Sequence, residues 1–350
     1  MPTPTEEYIV RIEPHGHTVR VRAGQPLLEA ALAAGLNLPH SCKSGHCSSC
    51  RARLRSGQIR YPGVTPAGIT TAEAESGHIL LCQAYPLSDL VLDARLVANS
   101  SDVEIKTLPC RIASITSLAP DVLQVWLRLP AVETLRFQPG QYLDVLLEGG
   151  RRRSFSIANP PHDSDLIELH VRRVSGGGFT ERLFGAPETS DALRTGSLLR
   201  IEGPLGHFIY RPGAGPVVMI AGGTGFAPLK SMLRHILEDG SDNRRDLHLY
   251  WGARRPSDLY EEATALTWAR RHPRFHFSAV LSESDAIEAG PDRRRGWVHE
   301  AVLADHPDLT GFEVYAAGPP AMIEAIRASF PDHGLDRDRL YFDSFDYAPR

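Results

Sequence analysis

The sequence has few cysteines, no long apolar run and no strong charge imbalance, and each of these features excludes a class of protein. Five cysteines in 350 residues are too few for a disulfide-stabilised scaffold. Apolar runs such as "PVVMIAGG" are too short to span a bilayer, and "MPTPTEEYIV" lacks the basic start and apolar run of a secretory signal. A net charge of −4 without a basic patch does not indicate nucleic-acid binding. We therefore expect a soluble cytoplasmic protein of two or three domains.

Four of the cysteines nevertheless have a spacing that indicates a metal centre. Cys42, Cys47 and Cys50 read C-x4-C-x2-C in "SCKSGHCSSC", and Cys82 follows in "ILLCQAYP". This is the plant-type spacing for a [2Fe–2S] cluster, in which two irons need four thiolates. Small residues between the first three cysteines suit a tight loop around such a cluster. Cys110 stands apart from this group.

Two alternatives to this cluster stay open at the level of the residues. His40 and His46 lie beside the cysteines, and a Rieske centre uses two histidines in place of two cysteines. Zinc, or a structural role without metal, is the other alternative. Zinc sites usually combine a Cys-x2-Cys pair with a second pair or with histidines. The flanking sequence predicts a hairpin around His15–Gly16 and a short helix in "PLLEAALAAGLNLP" that ends at Gly35.

Strand, strand, helix and cysteine loop together resemble a plant-type ferredoxin, a β-grasp fold, over residues 5–97. The resemblance implies an N-terminal ferredoxin-like domain at residues 1–100, with the four spaced cysteines as cluster ligands. The chain departs from the family pattern at Ser48, because many relatives have glycine there, as in C-G-x-C. Serine is small, so we expect this change to be tolerated.

The next segments predict a small antiparallel barrel at residues 104–212. They are "CRIASITSL", "VLQVWLRL", "QYLDVLL", "RSFSIAN" and "LIELHVRRV", separated by turn signals. Within "RSFSIAN", Arg153, Ser154, Phe155 and Ser156 resemble the R-x-[YF]-S motif of the ferredoxin–NAD(P)+ reductase family. The resemblance implies that Arg153 pairs with the FAD pyrophosphate, Phe155 packs on the isoalloxazine ring and Ser156 donates near flavin N5.

A glycine-rich segment, "VSGGGFTERLF", follows this motif. Its glycines alone would more often form a plain turn, but in the resembling family the segment holds the flavin phosphates. The FAD-binding residues implied there are Gly176, Gly177, Gly178 and Thr180. "GPLGHF", residues 203–208, resembles the closing strand of the same flavin domain.

The segment "GPVVMIAGGTGFAPLKSMLRHIL" predicts a strand, a glycine turn and a helix, which open a nucleotide-binding α/β domain at residues 213–350. Its G-G-x-G-x-x-P pattern differs from the G-x-G-x-x-G fingerprint but resembles the nicotinamide domain of the same reductase family. The residues implied in nucleotide binding are Gly222, Gly223, Thr224, Gly225 and Pro228.

The next strand leads to the expected adenine-ribose loop, Trp251 to Arg254. No acid ends this strand, whereas Arg254 and Arg255 follow it, and arginines favour the 2′-phosphate of NADPH. The family resemblance implies NADH instead. We therefore expect NADH and keep NADPH open.

The last element, "FEVYAAGPPAMIEAIRASF", resembles the family's C-G-P-P-x-M motif, which approaches the nicotinamide. The resemblance implies that Gly318, Pro319 and Met322 contribute to the cofactor site. Ala317 stands where many members have cysteine, so no role of that cysteine transfers to this chain. Phe345 is the candidate for the late aromatic residue that covers the flavin, and with Ser156 it completes the predicted catalytic residues.

The whole chain therefore reads as a multidomain α+β and α/β flavoprotein. It resembles bacterial CDP-6-deoxy-3,4-glucoseen reductases and the reductase components of oxygenases. The resemblance implies an oxidoreductase that passes electrons from NADH through FAD and the [2Fe–2S] cluster to a partner protein, a dehydrase or an oxygenase. An electron-carrier module that binds a cluster without turning over NADH is the alternative from another class.

Overall fold

The computed structural model of the chain describes residues 6–36, 38–40, 43, 45, 48–94, 96, 104–186, 191–239, 244–283 and 293–345. The chain forms two compact units, Met1–Asp102 and Val103–Arg350. The predicted boundary between residues 212 and 213 lies inside the second unit, and the predicted domain limits remain predictions.

The first unit is a five-stranded sheet with a helix packed against it. Its elements are β1 (Glu7–Glu13), β2 (His17–Arg22), α1 (Leu27–Ala33), β3 (Arg51–Ser56), β4 (Ile59–Arg60), α2 (Thr71–Glu75), β5 (His78–Leu80), β6 (Tyr85–Pro86) and β7 (Leu90–Asp93). The sheet order is β2-β1-β7-β3-β5, with β1 and β7 parallel, and β4 pairs with β6 separately. The predicted hairpin is confirmed, because β1 and β2 are antiparallel across Gly16, whose φ of 68° requires little energy only in glycine.

The second unit begins with an antiparallel six-stranded sheet. Its elements are β8 (Lys106–Ala119), β9 (Val122–Arg128), β10 (Tyr142–Leu146), β11 (Arg152–Ser156), β12 (Ile167–Arg172), α3 (Gly178–Phe184) and β13 (Leu198–Leu205). The order is β11-β10-β13-β8-β9-β12, and a bridge between Ile157 and Leu169 joins the two outer strands into a barrel. The closing strand β13 ends at Leu205, so it contains only the first three residues of the predicted "GPLGHF" segment.

The rest of the second unit is a parallel α/β sheet. Its elements are β14 (Val217–Gly222), α4 (Phe226–Asp239), β15 (Leu247–Ala253), α5 (Glu262–Arg271), β16 (Phe275–Leu281), β17 (Arg293–Arg295), α6 (Val298–Asp305), β18 (Glu313–Gly318), α7 (Pro320–Ser329) and β19 (Leu340–Ser344). The order is β17-β16-β15-β14-β18-β19. Strand order reverses between β14 and β18, and ligands of such sheets bind beyond the carboxyl ends of the strands at this point.

Both faces of the parallel sheet are buried, which explains why β14 reads as a continuous apolar run. Met219 and Ala221 face one hydrophobic cluster, and Val218 and Ile220 face another. Among the described residues, no helix has the length and apolar character needed to cross a membrane. The predicted combination of a β-grasp domain, an antiparallel barrel and an α/β domain is confirmed.

Candidate functional site

The two described cysteines of the predicted cluster site are brought together by the pairing of β3 with β5. Arg51 pairs with Leu80, so Cys50 and Cys82 lie at the same end of this ladder, and the Leu81 amide donates to the Cys50 carbonyl at 3.1 Å. Both cysteines are buried. Cys42 and Cys47 lie outside the described residues, so ligation by all four remains a prediction.

The loop before Cys50 has a conformation that suits a cluster. Gly45 has a φ of 83°, and the non-glycine residues Lys43 and Ser48 have φ values of 55° and 57°. Left-handed non-glycine residues are uncommon and turn backbone N–H groups into a concave surface for anions. The Ser48 hydroxyl also donates to the Gly68 carbonyl. Ser48 therefore adopts the backbone conformation that explains a preference for glycine there, and a hydrogen bond stabilises it.

Two side chains beside this loop have defined partners. Nδ1 of His40 donates to the Leu38 carbonyl at 2.8 Å, and burial lowers the His40 pKa. The Tyr61 hydroxyl accepts the Leu80 amide at 3.1 Å, just before Cys82. His46 lies outside the described residues.

A cavity of about 360 Å³ lies beside β11. We call it the flavin cavity, and it is lined by Leu147, Glu148, Arg151, Arg153, Gly178, Phe179, Arg182 and Asp191. The structure thus brings together Arg153 and Gly178, predicted from separate motifs. Sequence reasoning missed Arg151 and Arg182, although both are basic residues next to those motifs. Three guanidinium groups around one cavity fit a diphosphate, which arginine binds through paired N–H donors.

The residues of the R-x-F-S motif divide between two faces of β11, because side chains alternate along a strand. Arg153 and Phe155 share one face, and the Phe155 ring lies 5.4 Å from that of Phe179. Ser154 and Ser156 share the other face. The Ser154 hydroxyl donates to the Asp144 carboxylate at 2.6 Å, so Ser154 is hydrogen-bonded within the barrel.

The glycine-rich segment is stabilised by its own side chains. The Thr180 hydroxyl accepts the Val174 amide at 3.2 Å and lies 3.1 Å from the Gly177 carbonyl. The Gly176 amide donates to the Glu181 carboxylate at 2.8 Å. Thr180 therefore shapes the turn that places Gly178 at the flavin cavity.

The nucleotide-side glycines are explained by close backbone packing between β14 and β18. A Cβ on Gly225 would lie 1.9 Å from the Ala317 carbonyl oxygen, and one on Gly222 would lie 2.6 Å from Pro319 Cδ. A Cβ on Gly318, whose φ is 152°, would lie 2.9 Å from Gly222 Cα. The glycine loop, Gly222–Gly225, and the Gly318–Pro319 turn therefore meet at the switch point.

Other predicted residues lie around this crevice. Met322 packs on Gly222, with its Sδ 2.9 Å from the position of a Cβ there. Thr224 is within the glycine loop, and Pro228 is in the first turn of α4. The Phe345 amide donates to the Gly318 carbonyl at 2.9 Å, which places the C-terminal aromatic residue next to the nicotinamide-side turn.

The expected loop from Trp251 to Arg254 is wrong for its first three residues, because β15 extends to Ala253 and Trp251 is fully buried. Its indole N–H donates to the Gly223 carbonyl at 3.1 Å, and its ring stacks on Phe226 at 4.0 Å. Trp251 thus supports the glycine loop through the Gly223 carbonyl and the ring of Phe226. The only sequence signal was an aromatic residue at a strand end.

Arg254 and Arg255 lie beyond β15, as expected, but the structure brings acids to both. Arg254 Nε lies 3.8 Å from Asp258, and Arg255 Nε lies 3.8 Å from Glu283. Both ion pairs are partly exposed to solvent, so each contributes little to stability. They nevertheless reduce the positive charge at the predicted ribose end.

Cys110 and Ala317 are core residues. Cys110 lies in β8 with 2% exposure, and burial raises its pKa to about 12. Such a thiol stays protonated and is chemically inert. Ala317 is fully buried in β18, beside Ala221 of β14.

The donor sets fit the three groups that the motifs implied. Buried cysteine sulfurs and a left-handed loop suit an iron–sulfur cluster. The arginines of the flavin cavity suit a diphosphate, and the glycines at the switch point allow a dinucleotide to approach backbone N–H groups.

Comparison with known proteins agrees with these assignments domain by domain. Family models match a 2Fe-2S iron-sulfur cluster binding domain at residues 10–87, an oxidoreductase FAD-binding domain at 109–210 and an oxidoreductase NAD-binding domain at 219–328.

Several proteins are similar to the chain over nearly its whole length. The chain is 38% identical over 336 residues to a CDP-6-deoxy-L-threo-D-glycero-4-hexulose-3-dehydrase reductase of Yersinia pestis, covering 96% of this chain and 98% of that protein. It is 34% identical over 328 residues to a terephthalate 1,2-dioxygenase reductase component of Comamonas, covering 93% and 94%. The crystal structure of an Amycolatopsis cytochrome P450 reductase is 34% identical, with a TM-score of 0.70 and coverage of 97% and 98%. The chain therefore belongs to the family of NAD(P)H-dependent oxidoreductases that carry a [2Fe–2S] ferredoxin domain, an FAD-binding barrel and an NAD-binding domain in one polypeptide.

Proposed function

We propose that the chain supplies electrons from NADH to a separate dehydrase that acts on a CDP-linked deoxyhexulose. The observation that carries this proposal is the 38% identity, over 96% of the chain, to the dehydrase reductase of Yersinia pestis. Bound in the flavin cavity, FAD would supply the conversion between the two-electron chemistry of a nicotinamide hydride and the one-electron chemistry of a [2Fe–2S] cluster. Electron transfer of this kind needs positioned cofactors rather than a nucleophile or an acid–base pair. A cytoplasmic location, where NADH is available, belongs to the same proposal.

The flavin cavity orients FAD through its charged side chains. Arg151, Arg153 and Arg182 bind the diphosphate in this proposal, and the Gly178 backbone allows close approach. The family resemblance assigns the hydroxyl of Ser156, at the end of β11, to the flavin N5 side, although Ser156 lies on the strand face opposite Arg153 and Phe155.

The nucleotide crevice orients the nicotinamide dinucleotide. The glycine loop lies against the phosphates of the dinucleotide. Met322 and the Gly318–Pro319 turn support its nicotinamide end. Phe345, whose amide donates to the Gly318 carbonyl, covers the flavin face in this proposal.

The cluster ligands in this proposal are the four spaced cysteines. Cys50 and Cys82 are buried at the end of the β3–β5 ladder, and Cys42 and Cys47 complete the set from the sequence. Burial of the sulfurs limits their access to water.

The proposed preference for NADH rests on the acids beside the two arginines. Asp258 and Glu283 each lie 3.8 Å from one arginine and would repel a 2′-phosphate. We expect a higher kcat/KM for NADH than for NADPH. Exchanging both acids for amides, in the Asp258→Asn/Glu283→Gln variant, should shift the ratio toward NADPH by about tenfold. An unchanged ratio would show that these acids do not select the nucleotide.

The first test is an absorption spectrum of the purified holoenzyme without oxygen, before and after NADH. Bleaching of both the flavin and cluster bands is expected. A flavin that NADH and NADPH leave oxidised would support the electron-carrier module instead.

The partner is tested by reconstitution. Addition of a CDP-deoxyhexulose dehydrase and its substrate should stimulate NADH oxidation, with one NADH consumed per sugar reduced. A dehydrase that causes no stimulation would contradict the proposed partner.

An oxygenase component is the second candidate partner. The observation in its favour is the 34% identity to the terephthalate 1,2-dioxygenase reductase component, also over most of the chain. Stimulation of NADH oxidation by a ring-hydroxylating oxygenase with its aromatic substrate, and none by the dehydrase, would establish this alternative.

A further inference from the structure

A group of buried ionisable side chains joins the barrel to the α/β domain. We call it the Lys230 network: Glu168, His170, Lys230 and Glu261. The Lys230 ammonium lies 2.8 Å from Glu168 and 2.7 Å from Glu261, and His170 Nε2 lies 3.1 Å from Glu168. Lys230 is 6% exposed and Glu168 is 1% exposed. Charges so deeply buried are costly unless they are paired, so this arrangement constrains the positions of its members strongly.

The network has the composition of a metal site but already contains a cation. Ligand atoms of Glu168, His170 and Glu261 lie within 4.8 Å of one another, close enough to hold an ion. The Lys230 ammonium bonds to both carboxylates and takes the cation's place. The network is therefore a lysine-centred link.

The position of this link in the chain connects the two cofactor sites. Glu168 lies on β12, the strand that leads into the glycines of the flavin-side segment, Gly176–Gly178. Lys230 lies in the second turn of α4, the helix that starts directly after the glycine loop. The link thus ties the strand before one cofactor segment to the helix after the other.

Two further contacts connect the same elements. The His170 ring stacks near Phe226, the first residue of α4, with ring centres 6.4 Å apart. Arg172, the last residue of β12, lies against the glycine loop, with Nη1 2.5 Å from the place of a Cβ on Gly223. β12 therefore contacts the glycine loop through Arg172 and the start of α4 through His170.

We propose that Glu168 and Lys230 form a positioning pair, which holds the glycine loop at a fixed place against the flavin barrel. This inference rests on the proposed cofactor sites. Hydride transfer needs the nicotinamide and the flavin at a close, fixed approach, and small misplacements lower the rate strongly. Glu261 belongs to the α/β domain, and its contact with Lys230 lies within that domain. Its contact with the barrel is the longer one to His170 Nε2, at 3.8 Å.

The test compares two isosteric variants of the holoenzyme. Glu168→Gln leaves Lys230 paired with Glu261 and removes the charged link to the barrel. Glu261→Gln is the matched control, because it also removes one carboxylate but leaves the Lys230–Glu168 link. Neither variant leaves the lysine buried without a carboxylate.

Two readouts separate positioning from stability. We expect the rate of flavin reduction at saturating NADH to fall about tenfold in Glu168→Gln, with little change in the nucleotide Kd or FAD content. Hydrogen exchange of amides 222–230 in the oxidised enzyme, measured without NADH, should rise about tenfold in the same variant. Glu261→Gln should keep both properties within about twofold of wild type.

Equal behaviour of the two variants in both readouts would overturn the proposal. Loss of FAD from Glu168→Gln alone would also overturn it, because Glu168 would then serve the barrel itself, where it accepts a hydrogen bond from Gln124. Failure of the proposed function looks different, since wild-type flavin would then not be reduced by NADH at all.

Discussion

The flavin cavity and the nucleotide crevice differ in what they present to a phosphate-bearing ligand. The lining of the flavin cavity includes three arginines and two acids, whereas the crevice between β14 and β18 is lined by glycines packed tightly against neighbouring backbone and side-chain atoms. Charge in the cavity is supplied by long side chains, and substitution there changes affinity. Space in the crevice is supplied by missing side chains, and substitution there changes the packing of the domain. A phosphate-bearing ligand can thus be recognised either by charged side chains that bind it or by glycines that leave room for it beside the backbone.

The largest effect should come from an added methyl group in the crevice. In Gly225→Ala, the new Cβ would lie 1.9 Å from the Ala317 carbonyl oxygen, a backbone atom that cannot rotate away. We expect a loss of about 3 kcal/mol or more in stability and at least about 100-fold slower reduction of the flavin by NADH. Urea unfolding and anaerobic stopped-flow absorbance measure the two effects. Gly24→Ala is the control, because nothing lies within 4 Å of its Cβ position; equal losses in both variants would refute this explanation.

A smaller effect is expected in the flavin cavity. Arg182→Ala removes one of three cations, so FAD should bind about tenfold more weakly, while the two remaining arginines keep the fold and the site. Titration of the apoprotein with FAD, followed by flavin fluorescence, gives the Kd. Arg194→Ala, at an exposed position outside the cavity, should bind FAD like wild type. An unchanged Kd in Arg182→Ala would show that Arg182 does not contact the diphosphate.

Trp251→Phe tests the support of the glycine loop. Phenylalanine keeps an aromatic ring on Phe226 but loses the N–H donor to the Gly223 carbonyl. The loss of one buried hydrogen bond is about 1 kcal/mol, so the KM for NADH should rise about fivefold with FAD content unchanged. Steady-state kinetics with a dye acceptor measures this. A raised Kd for FAD with a normal KM would contradict the assignment.

The smallest effect is a pH dependence of stability at the start of β15, a central strand of the parallel sheet. His248 hydrogen-bonds to Ser278 at 3.0 Å and stacks on Tyr250, and burial, followed by repulsion from His306 and His276, lowers its pKa to about 3. The unfolded chain binds this proton below about pH 6.5, so the folded state loses stability as pH falls from 6.5 toward 3.

Between pH 7.5 and 5.5 the loss at this site should be about 1 kcal/mol. Urea unfolding of wild type and of His248→Gln at both pH values measures it, and the variant should show the smaller change. His299→Gln, outside this cluster, should follow wild type. A wild-type slope in His248→Gln would show that another group titrates.

The two cofactor regions also differ in how far they could be predicted from sequence. The glycine loop, the Gly318–Pro319 turn and Met322 were all predicted, because a backbone approach leaves its mark as glycine and proline at defined spacing. In the flavin cavity Arg153 and Gly178 were predicted, whereas Arg151 and Arg182 were missed. The sequence does not distinguish an arginine whose side chain lines a cavity from one whose side chain lies in solvent.

Trp251 shows a second kind of limit. The sequence predicted that Trp251 lies in a loop near the ribose. It lies instead in β15, where its fully buried indole donates a hydrogen bond to the Gly223 carbonyl. Which neighbour an aromatic side chain meets depends on the packing of adjacent strands. Ser48 shows the opposite case, since the family pattern already marked its position as one for glycine, and its φ of 57° explains why.

The local features of this protein could be inferred from its residues alone: the cysteine spacing, the strand–turn–helix units, the glycine positions and the order of the three domains. These follow from chemistry and backbone conformation within a few residues. Only the tertiary structure decided that Lys230 of α4 bonds to Glu168 of β12, that acids lie beside Arg254 and Arg255, and that Cys110 is an inert core residue. The Lys230–Glu168 and Arg255–Glu283 pairs join residues distant in the chain, and the state of Cys110 depends on its burial. The pair of Arg254 with Asp258 is local, but only the folded loop brings the two charges together.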